Sequence, residues 1–243
     1  MRARLDIQLV ACGLADSREQ AKRFILAGAV RVNGQLAHKP SELVDEHAVL
    51  AVAAADKYAS RGGHKLEAAL DAFHISCDGL MCADLGASTG GFTDCLLQRG
   101  AARVHAVDVG KGQLDWKLRQ DPRVTVHDKV NARHLTATDL GEHVDLVTID
   151  VSFISLTKVL PAAVAILRPG GTVVALIKPQ FEAGKKLVNK GGVVRDSRVH
   201  DAVTKMIQEF STTTLGLTLL GVIESPLLGP AGNKEFLIAL RQP

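Results

Sequence analysis

"DLGASTGGFTD", residues 84–94, decides how the chain folds. An acid closes the apolar run LMCAD of residues 80–84, small residues and glycines follow, and the pattern then turns helical. Strand, tight turn and helix in that order form the unit from which doubly wound parallel sheets are built. The spacing is neither GxxxxGK followed by Ser or Thr, nor GxGxxG. A phosphate-gripping NTPase is therefore disfavoured, and a dinucleotide site is weakened.

Outward from this stretch the alternation continues. Strands are expected at 104–108 (VHAVD), 124–128 (VTVHD), 144–150 (VDLVTID), 172–178 (TVVALIK), 218–224 (TLLGVIE) and 236–240 (FLIAL). Helical segments lie between most of them, the clearest at 155–167 (SLTKVLPAAVAIL). The expected fold class is α/β, a mostly parallel Rossmann-like sheet with a small α+β domain in front.

In such a sheet ligands sit at the carboxyl ends of the strands, near the topological switch point. Asp84, Asp108 and Asp128 close the first three strands, and Asn131 lies just beyond. Gly86, Gly90 and Gly91 would let the backbone approach a ligand closely. Asp108 is placed to accept from two ribose hydroxyls, and Asp128 to meet an adenine amino group. Three acids in series after a glycine loop fit an adenosine ligand. An initial acid with no lysine in the loop suits a sulfonium, so S-adenosylmethionine is the expected cofactor.

The first 56 residues read differently. Leu5, Leu9 and Val10 give a short helical stripe, Ser17 with Gln20 forms a capping-box pattern, and Ala21, Phe24 and Ile25 share one face of a second helix. Asn33-Gly34 between alternating segments is a hairpin signal. Domains are expected at 1–56 and 64–243, joined by a Gly-ended linker at 57–63. The charges of the front module are uneven, with Arg4, Arg18, Lys22, Arg23 and Arg31 against few acids; Arg18 and Lys22 share one helix face, and a solvated face is the competing reading. That part, "RLD…SREQAKRFILAGAVRVNG", resembles the S-four domain, a small RNA-binding unit. The resemblance implies that Arg18, Lys22, Arg23 and Arg31 contact structured RNA.

Composition excludes more than it assigns. A formal net charge of +3 over 243 residues is too small for affinity to nucleic acid through bulk charge, so any such role needs local patches. Four cysteines without CxxC or zinc spacing suggest buried thiols in a reducing compartment, and no metal site is expected. No signal peptide or membrane span is read, the richest apolar run, around Val159 to Leu167, being short and broken by Pro161. A soluble, cytoplasmic protein is expected, and nothing demands more than a monomer.

The acceptor is read from the later strand ends. Asp150 closes one strand without the Asn-Pro-Pro-aromatic run common in amine methyltransferases, which disfavours transfer to a base nitrogen. Lys178 closes the next, Glu235 opens the last, and Lys65 begins a helix. Two lysines and two acids converging suit a hydroxyl nucleophile. Lys178 would act as general base or orient the hydroxyl, within a charge environment set by Lys65, Asp150 and Glu235.

The segments "SRGGHKL", "DLGASTGGFTDCLL", "IDVSFISL", "LIKPQFE", "GGVVRD" and "GPAGNKEF", in this order, resemble the hemolysin-A/TlyA family of ribosomal RNA 2′-O-methyltransferases, with an FtsJ-like catalytic domain. The resemblance covers essentially the whole chain. It implies a tetrad of Lys65, Asp150, Lys178 and Glu235, and a cofactor loop of Asp84, Gly86, Ala87, Ser88, Thr89, Gly90, Gly91 and Phe92, with Asp108 as the ribose acid. It also implies methylation of cytidine in the RNA of ribosomal subunits. One departure is local: Asp128-Lys129-Val130 stands where the family carries a Glu-Arg-Thr type of sequence, which weakens an adenine contact by Asp128. Arg61 and the Lys185, Lys186 and Lys190 loop are further candidate RNA contacts, and a plain solvated loop is the competing reading for the lysines. Aromatic platforms are scarce, at 4% of residues, so base stacking would fall to Phe153, Phe181 or arginine planes. Competing readings are a non-catalytic assembly factor, a secreted hemolysin, a methyltransferase acting on protein or small-molecule hydroxyls, and a nicotinamide-binding oxidoreductase on the same sheet.

Overall fold

The structure is a computed structural model and describes residues 2–243, apart from Ala27, residues 53–56, Lys185, Lys186, Lys190 and Pro230. The chain divides into two compact units, Met1–Lys57 and Tyr58–Pro243.

The first unit runs β1 (Arg2–Arg4), α1 (Leu5–Ala11), α2 (Arg18–Leu26), β2 (Val30–Val32), β3 (Gln35–Leu36), β4 (Leu43–Asp45) and β5 (Leu50–Val52). Its core gathers Leu5 and Leu9 of α1, Ala21 and Ile25 of α2, Val30 and Val44. Asn33 and Gly34 join β2 to β3 with φ of 50° and 82°, the two positive values that a type I′ hairpin turn requires. The capping pattern is half as expected. Gln20 N–H donates to Ser17 Oγ at 3.2 Å, but the Gln20 side chain accepts from the amide of Asp16 rather than of Ser17. Pairing of β1 with β4 had no sequence signal, since each strand is only three residues long.

The second unit continues with α3 (Gly62–Ala72), β6 (Met81–Leu85), α4 (Gly91–Gln98), β7 (Arg103–Asp108), α5 (Trp116–Gln120), β8 (Val124–Asp128), α6 (Ala137–Leu140), β9 (Val144–Ile149), α7 (Leu156–Ile166), β10 (Leu167–Ile177), α8 (Pro179–Glu182), α9 (Ser197–Glu209), β11 (Thr218–Glu224) and β12 (Phe236–Arg241). The sheet order is β11-β12-β10-β9-β6-β7-β8, with β12 antiparallel to both of its neighbours and the other pairs parallel. All seven expected strands are present. Alternate residues of the central strands feed two cores, because successive side chains point to opposite faces. Ala83, Val147 and Ala175 pack on one face with α7 and α9, while Cys82, Leu146 and Val174 pack on the other with α3 and α4. Among the described residues, no helix is long and apolar enough to cross a membrane.

Residues 58–63, expected in the linker, pack on the second unit instead. Tyr58 is buried, and Ala59 N–H donates to Asp94 Oδ2 of α4 at 2.8 Å. Helix α3 starts at Gly62, before its expected boundary. A Cβ at Gly63 would lie 2.2 Å from Tyr58 Cγ, so only glycine lets α3 close on that ring. Gly63→Ala is expected to destabilise this unit by about 1–3 kcal/mol through overpacking, read as a lowered melting temperature.

Candidate active site

The chain enters the sheet at β6, runs outward to β8 and returns to β9 on the other side of β6. The carboxyl ends of β6 and β9 therefore diverge at a switch point, where a crevice forms. A cavity of about 310 Å³ lies there, within the usual size of a small-ligand site. Of the expected cofactor residues, Gly86, Ser88, Asp108 and Asn131 line it, together with Asp150. Asp108 is fixed from both sides, Oδ2 accepting from Ser88 N–H at 2.8 Å and Oδ1 from Gly110 N–H at 2.7 Å. Gly86, with φ of 88°, lies so close to the Asp150 backbone that a Cβ would stand 2.5 Å from its carbonyl oxygen. That glycine sets the width of the crevice.

Other residues of the expected cradle lie outside the wall. Gly90 and Gly91 are close-packed by protein: a Cβ would meet Leu118 at the first and Ser60 Oγ at the second, each at 2.2 Å. Phe92 and Ala87 are buried. Thr89 is exposed, and its carbonyl accepts from Asp115 N–H at 3.1 Å. Asp128 is held by Arg119, 2.8 Å from each carboxylate oxygen, and that hydrogen-bonded ion pair lowers its pKa. It does not line the cavity. Sequence reasoning missed Gln113, Ser152 and the apolar Val109, Val130 and Ile154, which do. They sit on loops, where no periodicity marks them.

Asp84 lies beneath the loop, fully buried, with Oδ2 accepting from Thr93 Oγ1 at 2.7 Å and Oδ1 from Thr148 Oγ1 at 3.1 Å. It thereby ties the end of β6 to α4 and β9. Burial raises its pKa to about 7, against the two hydroxyl bonds that oppose the shift. A carboxyl whose folded pKa exceeds its unfolded value binds more protons when folded, so stability falls as pH rises from about 4 to about 7 and is level above. In the Asp84→Asn variant, whose amide can bond both hydroxyls, that slope is expected to flatten. Melting temperatures at intervals from pH 4.5 to 8 check this.

The four expected catalytic residues form two ion pairs. Lys178 Nζ lies 2.5 Å from Asp150 Oδ1 and donates to Ser152 Oγ at 3.0 Å. Lys65 Nζ lies 2.5 Å from Glu235 Oε2, with the Glu235 side chain fully buried. Sheet register brings the pairs to one edge. Ile177 of β10 faces Phe236 of β12, so Lys178 and Glu235 follow on at the same end, and Asp150 closes the neighbouring β9. The loops after β9 and β10 are themselves stitched together. Glu182 accepts from Ser155 Oγ at 2.5 Å and from Leu156 N–H at 2.8 Å, capping α7, and burial raises its pKa. Above this seam the rings of Phe153 and Phe181 stand 5.0 Å apart, Phe153 being 90% exposed with φ of 64°.

In the first unit Asp6 is fully buried and holds Arg4 Nε at 3.0 Å and an Arg18 guanidinium nitrogen at 3.1 Å. The Arg4 hydrogen bond chiefly keeps its carboxyl down at about 2. Lys22 pairs with Glu19 at 2.6 Å, Arg23 is exposed, and Arg31 reaches the Gly34 carbonyl at 3.2 Å. In the second unit Arg61 is exposed at the start of α3. Lys185, Lys186 and Lys190 lie outside the described residues.

A sheet that runs outward from its first strand, returns to the other side and ends in one reversed strand, with an acid-walled crevice at the switch point, defines the Rossmann-type methyltransferase class. The FtsJ-like methyltransferase family matches residues 58–242, and the S4 domain matches residues 3–50. The chain is 50% identical over 246 residues to a Mycobacterium tuberculosis protein named 16S/23S rRNA (cytidine-2′-O)-methyltransferase TlyA, covering 99% of this chain and 90% of that one. It is 40% identical over 240 residues to hemolysin A of Brachyspira hyodysenteriae, covering 96% and 98%. The solved structure of a candidate hemolysin from Streptococcus thermophilus superposes with a TM-score of 0.76 at 44% identity, covering 99% and 88%. The chain belongs to the FtsJ-like methyltransferases, in the TlyA and hemolysin A group, with an S4 domain in front.

Proposed function

We propose that this protein is an S-adenosylmethionine-dependent methyltransferase acting on the 2′-hydroxyl of a cytidine in ribosomal RNA, within ribosomal subunits. The observation that carries the reading is the pairing of Lys178 with Asp150, and of Lys65 with Glu235, at the strand ends beside the crevice.

The crevice fits the cofactor by its chemistry. Among the described residues, its wall carries two carboxylates, Asp108 and Asp150, and no lysine, arginine or histidine, and the adjoining Lys178 is already paired with Asp150. A ligand bearing phosphates would find no unpaired cation among them, whereas a sulfonium with an amino-acid head and a ribose finds acceptors. Asp108, held by two backbone amides, would take the ribose hydroxyls, and the apolar Val109 and Val130 would flank the adenine. When bound, S-adenosylmethionine supplies an electrophilic methyl group.

The protein's own residues act on the acceptor. A ribose hydroxyl is a weak nucleophile and must lose its proton as the methyl arrives. Lys178 Nζ stands at the end of β10, held by Asp150 and Ser152. As an amine it accepts that proton; as an ammonium it donates to the oxygen and offsets its developing charge. Both roles use one placement. Lys65 and Glu235 hold the neighbouring edge with a fixed, buried pair. Phe153 and Phe181 offer ring faces for a base.

The S4 unit supplies RNA affinity. Asp6 fixes Arg4 and Arg18, and the exposed Arg23 and Arg31 extend the basic surface, with Arg61 and the lysines of the 184–195 loop as contacts from the second unit. Arg18→Ala is expected to weaken subunit binding and to shallow its salt dependence by about one phosphate contact, with cofactor affinity unchanged. A filter-binding series in potassium chloride checks it. The reading as a whole is tested by transfer of tritiated methyl from S-adenosylmethionine to subunits isolated without the modification. Label is expected in the RNA; label in protein alone, or none with the cofactor bound, would overturn it.

A further inference from the structure

Asn233, like Ser225, is a buried polar side chain of the last loop that the chemistry above leaves without a role. It is 2% exposed, and both ends of its amide are spent on one segment of backbone. Oδ1 accepts from Val194 N–H at 2.9 Å, and Nδ2 donates to the Gly192 carbonyl at 2.9 Å. A backbone N–H only donates and a carbonyl only accepts, so the two partners fix which way the amide points. Val194 is itself buried, and its carbonyl accepts from His200 Nε2 at 3.0 Å, so the residue is held from both sides. Among the described residues, the hydrogen bonds that leave 188–194 for side chains elsewhere run to Asn233 and His200.

The other side of Asn233 leads to Glu235, two residues on. The Asn233 carbonyl accepts from Gly229 N–H at 2.9 Å, and the Glu235 carbonyl accepts from Ser225 N–H at 2.9 Å. The turn at Gly229 presses on Glu235 directly, since a Cβ there would lie 2.3 Å from Oε1. A shift of Asn233 therefore reaches the Glu235 carboxylate by the chain and through this turn.

We propose that Asn233 is a positioning residue that couples the backbone at Gly192 and Val194, within the glycine- and lysine-rich stretch of the sequence, to Glu235. Binding of RNA phosphate by that stretch and placement of the Lys65–Glu235 pair are then set together. This rests on the ribose methyltransferase reading above. The cofactor wall, at the ends of β6, β7 and β9, contains none of these residues.

The test compares wild type, Asn233→Ala and the same-sized Asn233→Asp. The aspartate variant keeps an acceptor for Val194 but loses the donor to Gly192, and it serves if the alanine variant does not fold. Both are expected to bind S-adenosylmethionine within about twofold of wild type by calorimetry. Their single-turnover methyl transfer to subunits falls roughly 10- to 100-fold, the scale of a small misplacement remote from the chemistry. Half-saturation by subunits shifts upward, and amide exchange at Val194 accelerates. In a background carrying Lys185→Ala, Lys186→Ala and Lys190→Ala, the half-saturation effect of Asn233→Ala disappears, because coupled residues are not additive. Full additivity in that background, or transfer at the wild-type rate by either folded variant, would overturn the coupling. If wild type itself transfers no methyl to subunits, the functional reading falls, and the coupling falls with it.

Discussion

Lys178→Ala is expected to lower single-turnover methyl transfer to ribosomal subunits by about 10²–10⁴-fold, the range for loss of a positioned proton-handling group. Cofactor affinity is expected to stay within a few-fold of wild type, because Lys178 does not line the crevice. Some stability should be lost as well, because Asp150 is only 24% exposed and its Oδ1, the oxygen that faces Lys178, is buried. Rapid-quench transfer assays beside calorimetric cofactor titrations separate the two effects. A loss of cofactor binding as large as the loss of rate would place Lys178 in the cofactor site instead.

The second large effect belongs to Lys65, and it is expected first in stability. Glu235 is fully buried at its side chain and Lys65 is 9% exposed, so Lys65→Ala strands a carboxylate in the core. Breaking a buried pair from one side costs about 3–5 kcal/mol. In a unit of this size each kcal/mol lowers the melting temperature by roughly 2–4 °C. The pair replaced as a whole, Lys65→Met with Glu235→Leu, is expected to recover most of that loss, since two apolar side chains leave no unpaired charge. It should remain inactive. Thermal unfolding of the single and double variants, with transfer assayed below both transitions, shows whether the pair serves folding alone. An active double variant would remove Lys65 and Glu235 from the mechanism.

The fold was legible because the strand signals are long and local. TLLGVIE at 218–224 forms its strand at the expected residues, and the acids that end the early strands mark the carboxyl edge of the sheet. Contacts between distant segments were not legible. Nothing local marks Asp145 as the acceptor for the Met81 amide, or Glu182 as the cap of α7. The glycine loop shows the same limit more sharply. Its composition implied close approach to a ligand, yet Gly90 and Gly91 are small because Leu118 and Ser60 lie against them, while Gly86 and Ser88 reach the crevice. Asp84, whose position before the loop implied a cofactor contact, is a buried clamp on two threonines. The residues of the tetrad could each be found at a strand end or helix start, but their pairing, Lys65 with Glu235 and Lys178 with Asp150, depends on strand order. β12 inserts between β10 and β11, and no periodicity encodes that insertion.

The most direct measurement is the position of the methyl group on the product RNA. Subunits methylated by wild type and by Lys178→Ala are deproteinised, and their RNA is cleaved with alkali, which requires a free 2′-hydroxyl. The account predicts one new alkali-resistant linkage, 3′ to a cytidine, after wild-type treatment and its absence with the variant. Label incorporated without any resistant linkage would mean a base methyl, and would contradict a ribose-directed tetrad.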